Sequence, residues 1–154
     1  MLLDSIPKAL APLNLEKVAP GEYAKTGYHL EVAATPAQMP AVAQALLKEG
    51  CLLESLTAVD TSREAFTLVY HFANFYELCR TVVHASLPKD AEAPTISQVY
   101  PGADWYEREV YDLFGIKFAG HPNLKRLLLP EDATIHPLRK EFPEEAEVKG
   151  EAPK

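Results

Sequence analysis

Hydrophobic positions along the chain mark out the elements first. Leu2, Leu3, Ile6, Leu10 and Leu13 recur at near-helical spacing, so a short amphipathic helix is expected to run to about Pro12. A short strand near residues 15–18 follows. In "YHLEVA", Tyr28, Leu30 and Val32 alternate with His29 and Glu31, the pattern of a half-buried strand. Thr35 then caps a helix with Pro36 at its first position, Val42, Ala43, Leu46 and Leu47 on one stripe, and Gly50 at its end. Three alternating or apolar runs come next, "CLLESLTAVD", "FTLVYHFA" and "LCRTVVHASL". Their connections, "TSRE" and "NFYE", are short enough for antiparallel hairpins. One mixed, largely antiparallel sheet with helices on a single face accounts for this order, an α+β two-layer domain over residues 1–87.

The pattern changes after Leu87. Residues 88–115 read as a linker with short helices: Thr95 and Gln98 have capping-box spacing, and Asp104 and Glu107 repeat it ahead of a helix from Trp105 to Phe114 that Gly115 stops. On that helix Tyr106, Val110, Leu113 and Phe114 make the expected buried stripe. Arg108 and Asp112, four apart, fall on the opposite face with Glu109 and Trp105 nearby, the arrangement of a solvated charge ladder. Residues 116–142 carry prolines, leucines and no long periodicity, with Lys117, Lys125, Arg126, Arg139 and Lys140 outnumbering three acids. A solvated linker is not so apolar, so this stretch is expected to be an extended arm that docks on a partner. The alternative is an arm that folds back on its own domain. Residues 143–154 are polar, and disorder is expected there.

Composition narrows the function. The chain has 154 residues, a formal net charge of -7 and 47% hydrophobic residues, which suits one folded unit and disfavours nucleic acid as a partner. No apolar run approaches the roughly 20 residues of a membrane span. The opening "MLLDSIPKALAPL" has an acid at Asp4 and no basic region, so no signal peptide is expected. Cys51 and Cys79 stand without metal-ligand spacing and are expected to be buried free thiols. There is no GxSxG elbow, P-loop or glycine-rich dinucleotide loop. Glu107, Glu109, Asp112 and His121 crowd one stretch, which raises a metal hydrolase as a competing class. However, His121 and His136 precede prolines and read as extended turn elements.

The stretch "WYEREVYDLFGIKFAGHPNLKRLLLPED", followed by "HPLRKEF", resembles the signature of the thirty-kilodalton subunit of respiratory complex I, also known as its C subunit. Lys125 stands where that pattern usually has arginine, and "ATI" replaces a bulky aromatic and glycine before the second His-Pro. The resemblance implies a non-catalytic structural subunit in the peripheral quinone-module arm of a proton-pumping NADH:quinone oxidoreductase. Similar subunits occur in membrane-bound hydrogenase, formate hydrogenlyase and deazaflavin-dependent dehydrogenase. It further implies no cofactor in this chain, FMN and iron–sulfur clusters in its neighbours, and a peripheral position on the cytoplasmic side of the cell membrane. The implied partners are the large quinone-site subunit and the small iron–sulfur subunit, in a hetero-oligomer. The implied interface comprises Glu107, Arg108, Glu109, Asp112, Gly115, His121, Pro122, Leu124, Lys125, Arg126, His136, Pro137, Leu138, Arg139 and Lys140. On this expectation, Arg126→Ala and Glu109→Ala weaken assembly and leave the chain's own melting temperature nearly unchanged.

Overall fold

A computed structural model of the chain describes residues 1–141. Phe142 and the polar tail 143–154 lie outside the described residues. Helix α1 spans Leu2–Leu10 and passes through a 3-10 turn to Asn14, whose left-handed backbone (φ 49°) turns the chain into strand β1, Lys17–Pro20. A one-turn helix α2, Tyr23–Thr26, which the hydrophobic pattern does not reveal, leads to β2, Leu30–Ala34. Thr35 and Gln38 cap each other reciprocally, but around a 3-10 turn, and α3 proper begins later, at Met39–Lys48.

The expected three-stranded meander is present as β3 (Leu52–Asp60), β4 (Ala65–Ala73) and β5 (Arg80–Pro88). Five strands form one mixed sheet in the order β1-β2-β5-β4-β3, with β2 parallel to β5 and the other pairs antiparallel. Period-two alternation sends Phe66, Leu68, Tyr70 and Phe72 to one face, opposite Leu87, Ala85, Val83 and Thr81 of β5. Ile6 and Leu10 of α1 and Met39, Val42 and Leu46 of α3 close over that face, all fully buried.

The core does not stop at Leu87. Ile96, Tyr100, Val110, Phe114, Ile116 and Phe118 belong to the same buried cluster. A further helix, α4 (Ala103–Phe114), packs along β3, and Phe114 meets Phe66 edge-on at 6.1 Å. Two short parallel strands, β6 (Ala93–Pro94) and β7 (Phe118–Ala119), bracket it. The stretch expected to be a linker is thus part of the packed layer. Cys51 and Cys79 are buried and unpaired, and burial pushes the Cys51 thiol up to about 11, which leaves it protonated and inert.

Candidate functional site

Everything distinctive about the site follows from α4 being covered on two sides. Val110 and Phe114 face the sheet, as their spacing predicts. The charge ladder, however, is not solvated: Glu107 and Asp112 are fully buried and Arg108 is 8% exposed. The reason is the segment after β7. It folds back over the outer face of α4 as a strap, so the helix has a second buried face where sequence periodicity assigns water.

Asp112 fastens the strap. Its Oδ2 accepts the consecutive amides of Leu127, Leu128 and Leu129 at 3.2, 2.7 and 2.9 Å, and its Oδ1 accepts Arg126 Nη1 at 3.0 Å. Burial by itself would raise this carboxyl's pKa, but those amides and the guanidinium outweigh it and hold the group below the usual carboxylate range. Arg108 and Asp112 therefore do not pair with each other. Arg108 donates instead to the carbonyls of Lys125 (3.3 Å) and Arg126 (2.9 Å) and lies over the Trp105 ring at 5.1 Å.

The strap also completes the end of the helix. The last four carbonyls of any α-helix lack intrahelical donors. Here Tyr111 O accepts the Gly115 amide, Asp112 O accepts Arg126 and His136, Leu113 O accepts the Leu138 amide, and Phe114 O accepts Arg139 Nε. Two of those donors are guanidinium cations, the charge that the negative end of the helix dipole favours. Arg126 further donates to the carbonyls of Ala133 (2.6 Å) and Ile135 (2.9 Å), so its side chain is saturated within its own domain. The expectation that Arg126→Ala spares the melting temperature is corrected accordingly: removing this side chain opens the strap itself. Among the described residues, Glu109 makes no ion pair, and it sits half-buried.

The two His-Pro elements clamp opposite ends of α4. His121, whose side chain is fully buried, accepts the Asn123 amide at Nδ1 (3.0 Å), which assigns its proton to Nε2, facing Asp104 O at 3.1 Å. His136 Nδ1 donates to Asp112 O at 3.0 Å; burial foremost, with Arg126 and Arg139 nearby, lowers its pKa and keeps the ring neutral. Gly115 is left-handed (φ +74°) and lies so close under the strap that a Cβ there would stand 2.8 Å from the His136 ring and from Arg139. Leu124 packs against the core edge. Lys140 contributes its backbone: its amide donates to Asp60 Oδ2 at 2.8 Å, and Lys89 binds both Asp60 and Glu141. Asp60 Oδ1 stands 3.1 Å from Lys89 Nζ, near enough for an ion pair but outside hydrogen-bond alignment.

Glu107 is the second buried carboxylate, and it behaves in the opposite sense. The capping box expected from Asp104 and Glu107 does not form, because α4 begins at Ala103 and Asp104 is already inside it. Glu107 instead reaches the preceding turn, accepting Ile96 N at 2.8 Å and the Thr95 hydroxyl at 2.5 Å. Burial raises its pKa, and the Thr95 and Ile96 hydrogen bonds offset this only in part. A raised folded value means the carboxyl's contribution to stability is fully present below its ordinary pKa of 4.5 and is lost as pH rises through the folded one. Glu107→Gln keeps the Ile96 acceptor and cannot ionise. Its melting temperature relative to the parent should climb between pH 4.5 and 7, and melts across that range check this; a constant difference would show that Glu107 titrates as an ordinary carboxyl.

Hydrolytic metal chemistry gets no support from this geometry. His121 Nε2 stands 3.6 Å from Asp104 Oδ1 and 3.8 Å from Glu107 Oε2, and its nitrogens are already committed to backbone partners. Among the described residues no group of three or more His, Cys, Asp or Glu side chains is placed to hold a metal. The sequence-assigned residues thus converge as a fastening rather than a reaction centre. What they leave on the outside is a surface of Trp105 (60% exposed), Leu128 (65%) and Leu138 (51%), with Pro122, Lys125 and Lys140 at its margin. Trp105 and Leu128 are absent from the residues assigned by resemblance. Their large apolar side chains next to buried charges were the available signal.

Comparison with known families gives a direct result. The family model of the respiratory-chain NADH dehydrogenase 30 kDa subunit matches residues 32–148. The chain belongs to this family. Among curated relatives, the NADH-quinone oxidoreductase C subunit of Rhodobacter capsulatus is 52% identical over 93 residues, 59% of this chain and 47% of that protein. The C subunit of Jannaschia sp. is 46% identical over 120 residues, 74% of this chain and 58% of that protein. This chain therefore spans about half the length of the curated relatives it matches. A fused C/D form of the NADH-quinone oxidoreductase subunit, from Methylococcus capsulatus, is 44% identical over 105 residues, 62% of this chain and 18% of that protein. Among solved structures, a chain of the membrane-bound sulfane sulfur reductase, an archaeal respiratory membrane complex, superposes with a TM-score of 0.80. It is 25% identical, with 95% of this chain and 88% of that chain covered.

Proposed function

We propose that this chain is a non-catalytic structural subunit of the peripheral quinone-module arm of a proton-pumping NADH:quinone oxidoreductase. It docks on the large quinone-site subunit through the outer surface of α4 and its strap. The observation that carries this reading is the fused C/D relative, in which a segment like this chain is covalently joined to the D portion of the same polypeptide. Fusion helps two modules associate only if their geometry lets them touch, so it favours the counterpart of that D portion, the large subunit in this reading, as the neighbour. The surface offered is rigid and chemically suited: Trp105, Leu128 and Leu138 are apolar anchors, and lysines stand at the rim. In this reading FMN and the iron–sulfur clusters reside in neighbouring subunits, the small iron–sulfur subunit is a further neighbour, and the chain lies peripherally on the cytoplasmic side of the membrane. Among the described residues no helix is long and apolar enough to cross one.

A second reading is favoured by the structural likeness to a sulfane sulfur reductase chain. It makes this chain the equivalent subunit of a related membrane complex such as a membrane-bound hydrogenase, formate hydrogenlyase or deazaflavin-dependent dehydrogenase. Affinity purification of the tagged full chain from mildly solubilised membranes separates the two. The expected product is a multi-subunit complex with NADH:quinone reductase activity. A complex inactive with NADH but active with hydrogen, formate, reduced deazaflavin or sulfane sulfur selects the second reading. Recovery of the chain alone overturns both.

A further inference from the structure

The β4–β5 connection is far from the strap and has no role in it. Phe75 is 87% exposed, Tyr76 99% and Leu78 69%, while nearby Met1 and Leu3 of the α1 end are 85% and 38% exposed. Such exposure would mean little in a slack loop, but this one is tied down. Asn74 Oδ1 accepts the amides of Tyr76 (2.8 Å) and Glu77 (3.1 Å), and its Nδ2 donates to Gly50 O at 2.8 Å. Glu77 Oε1 accepts the Leu2 amide at 2.9 Å, which fixes the loop to the start of α1. The amide and carboxylate of the loop are thus used internally, and the apolar side chains point outward from a fixed frame. Holding large aromatics rigid before binding removes the ordering cost that flexible anchors incur.

We propose that this aromatic tip is a second docking surface of the subunit, inserted into an apolar pocket on another protein subunit of the parent complex. The proposal rests on the reading that the chain works within such a complex. Two observations choose a protein over a lipid surface. Residues 1–7 and 73–79 contain the acids Asp4 and Glu77 and no lysine or arginine, so an anionic bilayer repels the tip. Nearby Arg80 is neutralised by Glu54 at 2.7 Å. Position separates the tip from the first surface: β4 runs from Phe66, which touches Phe114 under the strap, to Ala73 at the loop. At 3.3 Å per residue the two ends are roughly 25 Å apart. The subunit then acts as a strut gripped at both ends.

The test uses the full chain in its native membranes. A photo-crosslinker, p-benzoylphenylalanine, replaces Tyr76 in one strain and Leu128 in another, and adducts are identified by mass spectrometry. The expected outcome is an adduct from position 76 with an identified subunit of the complex. Phe75→Ser with Tyr76→Ser should also lower the yield of intact complex about tenfold or more, with the chain's own melting temperature unchanged. Adducts from position 128 without any from 76 overturn the tip alone. No protein adduct from either position overturns the subunit reading with it. Flotation of the purified chain with phosphatidylethanolamine–phosphatidylglycerol vesicles, abolished by the same double variant, would replace the protein pocket by a lipid surface.

Discussion

Asp112→Ala should lower the melting temperature of the chain by on the order of 10 °C. The substitution removes the acceptor of three strap amides and the partner of Arg126 together, and it leaves a guanidinium buried without its counter-ion. Breaking one side of a buried pair costs about 3–5 kcal/mol, and in a domain of this size each kcal/mol is worth roughly 2–4 °C. Asp112→Asn should recover part of the loss, since its carbonyl can still accept amides while its NH2 faces Arg126. Amide hydrogen exchange at Leu127 to Leu129 should accelerate in both variants. A fall of less than about 2 °C in Asp112→Ala would mean that the strap is not what stabilises the outer face of α4. Acid should act on the same fastening. The Asp112 carboxyl is held below its ordinary value of 3.8, so its contribution is present above that pH and is lost as pH falls through the folded value. Asp60, lowered despite burial by the Lys140 amide and Lys89, should release the far end of the strap in the same acid window.

Gly115→Ala should cost about 2–4 kcal/mol, several times the cost of Gly27→Ala. The two glycines end helices with nearly the same backbone, φ +74° and +78°. A Cβ forced into that region costs about 1–2 kcal/mol at either position. At Gly27 the new carbon meets nothing within 4 Å, whereas at Gly115 it meets the His136 ring and Arg139 at 2.8 Å. Neither neighbour yields freely, since His136 is bonded to Asp112 O and Arg139 to Phe114 O. The difference between the two variants, measured by denaturant unfolding, isolates the close approach of strap to helix. Equal losses would show that the strap gives way easily.

Residues acting through local rules are legible in the sequence. Gly50 and Gly115 end helices, Thr35 and Gln38 cap each other, and the alternation of Phe66, Leu68, Tyr70 and Phe72 specifies an inner sheet face. Legibility fails where a partner arrives from an irregular segment. Asp112 reads as solvated because the amides it binds lie 15 to 17 residues ahead, in a stretch with no period to follow. Glu107 carries a true capping-box spacing, but the same three-residue offset also occurs one turn inside a helix, and the side chain turns to Ile96 instead. The basic surplus of residues 116–142 suggests a partner's acids. Arg126 and Arg139 find their acceptors at the carboxyl end of the preceding helix, a destination that composition cannot indicate. The His-Pro elements read as turns, and turns they are, with the added work of clamping α4.

The fastening at Asp112 also orders events in time. The last-turn carbonyls that the strap engages exist as an aligned set only after α4 has wound, so the strap follows the helix and cannot precede it. The separation of 15 residues from Asp112 to Leu127 is short, and closing a loop of about that size takes well under a microsecond. The contact from Lys140 back to Asp60 spans 80 residues and depends on the hairpin sheet being in place. The outer surface around Leu128 and Leu138 is therefore the last part of the chain to take shape. A neighbour that recognises this surface accepts only molecules whose sheet and helix have already formed, and a misfolded copy is refused before it can be built into a larger assembly.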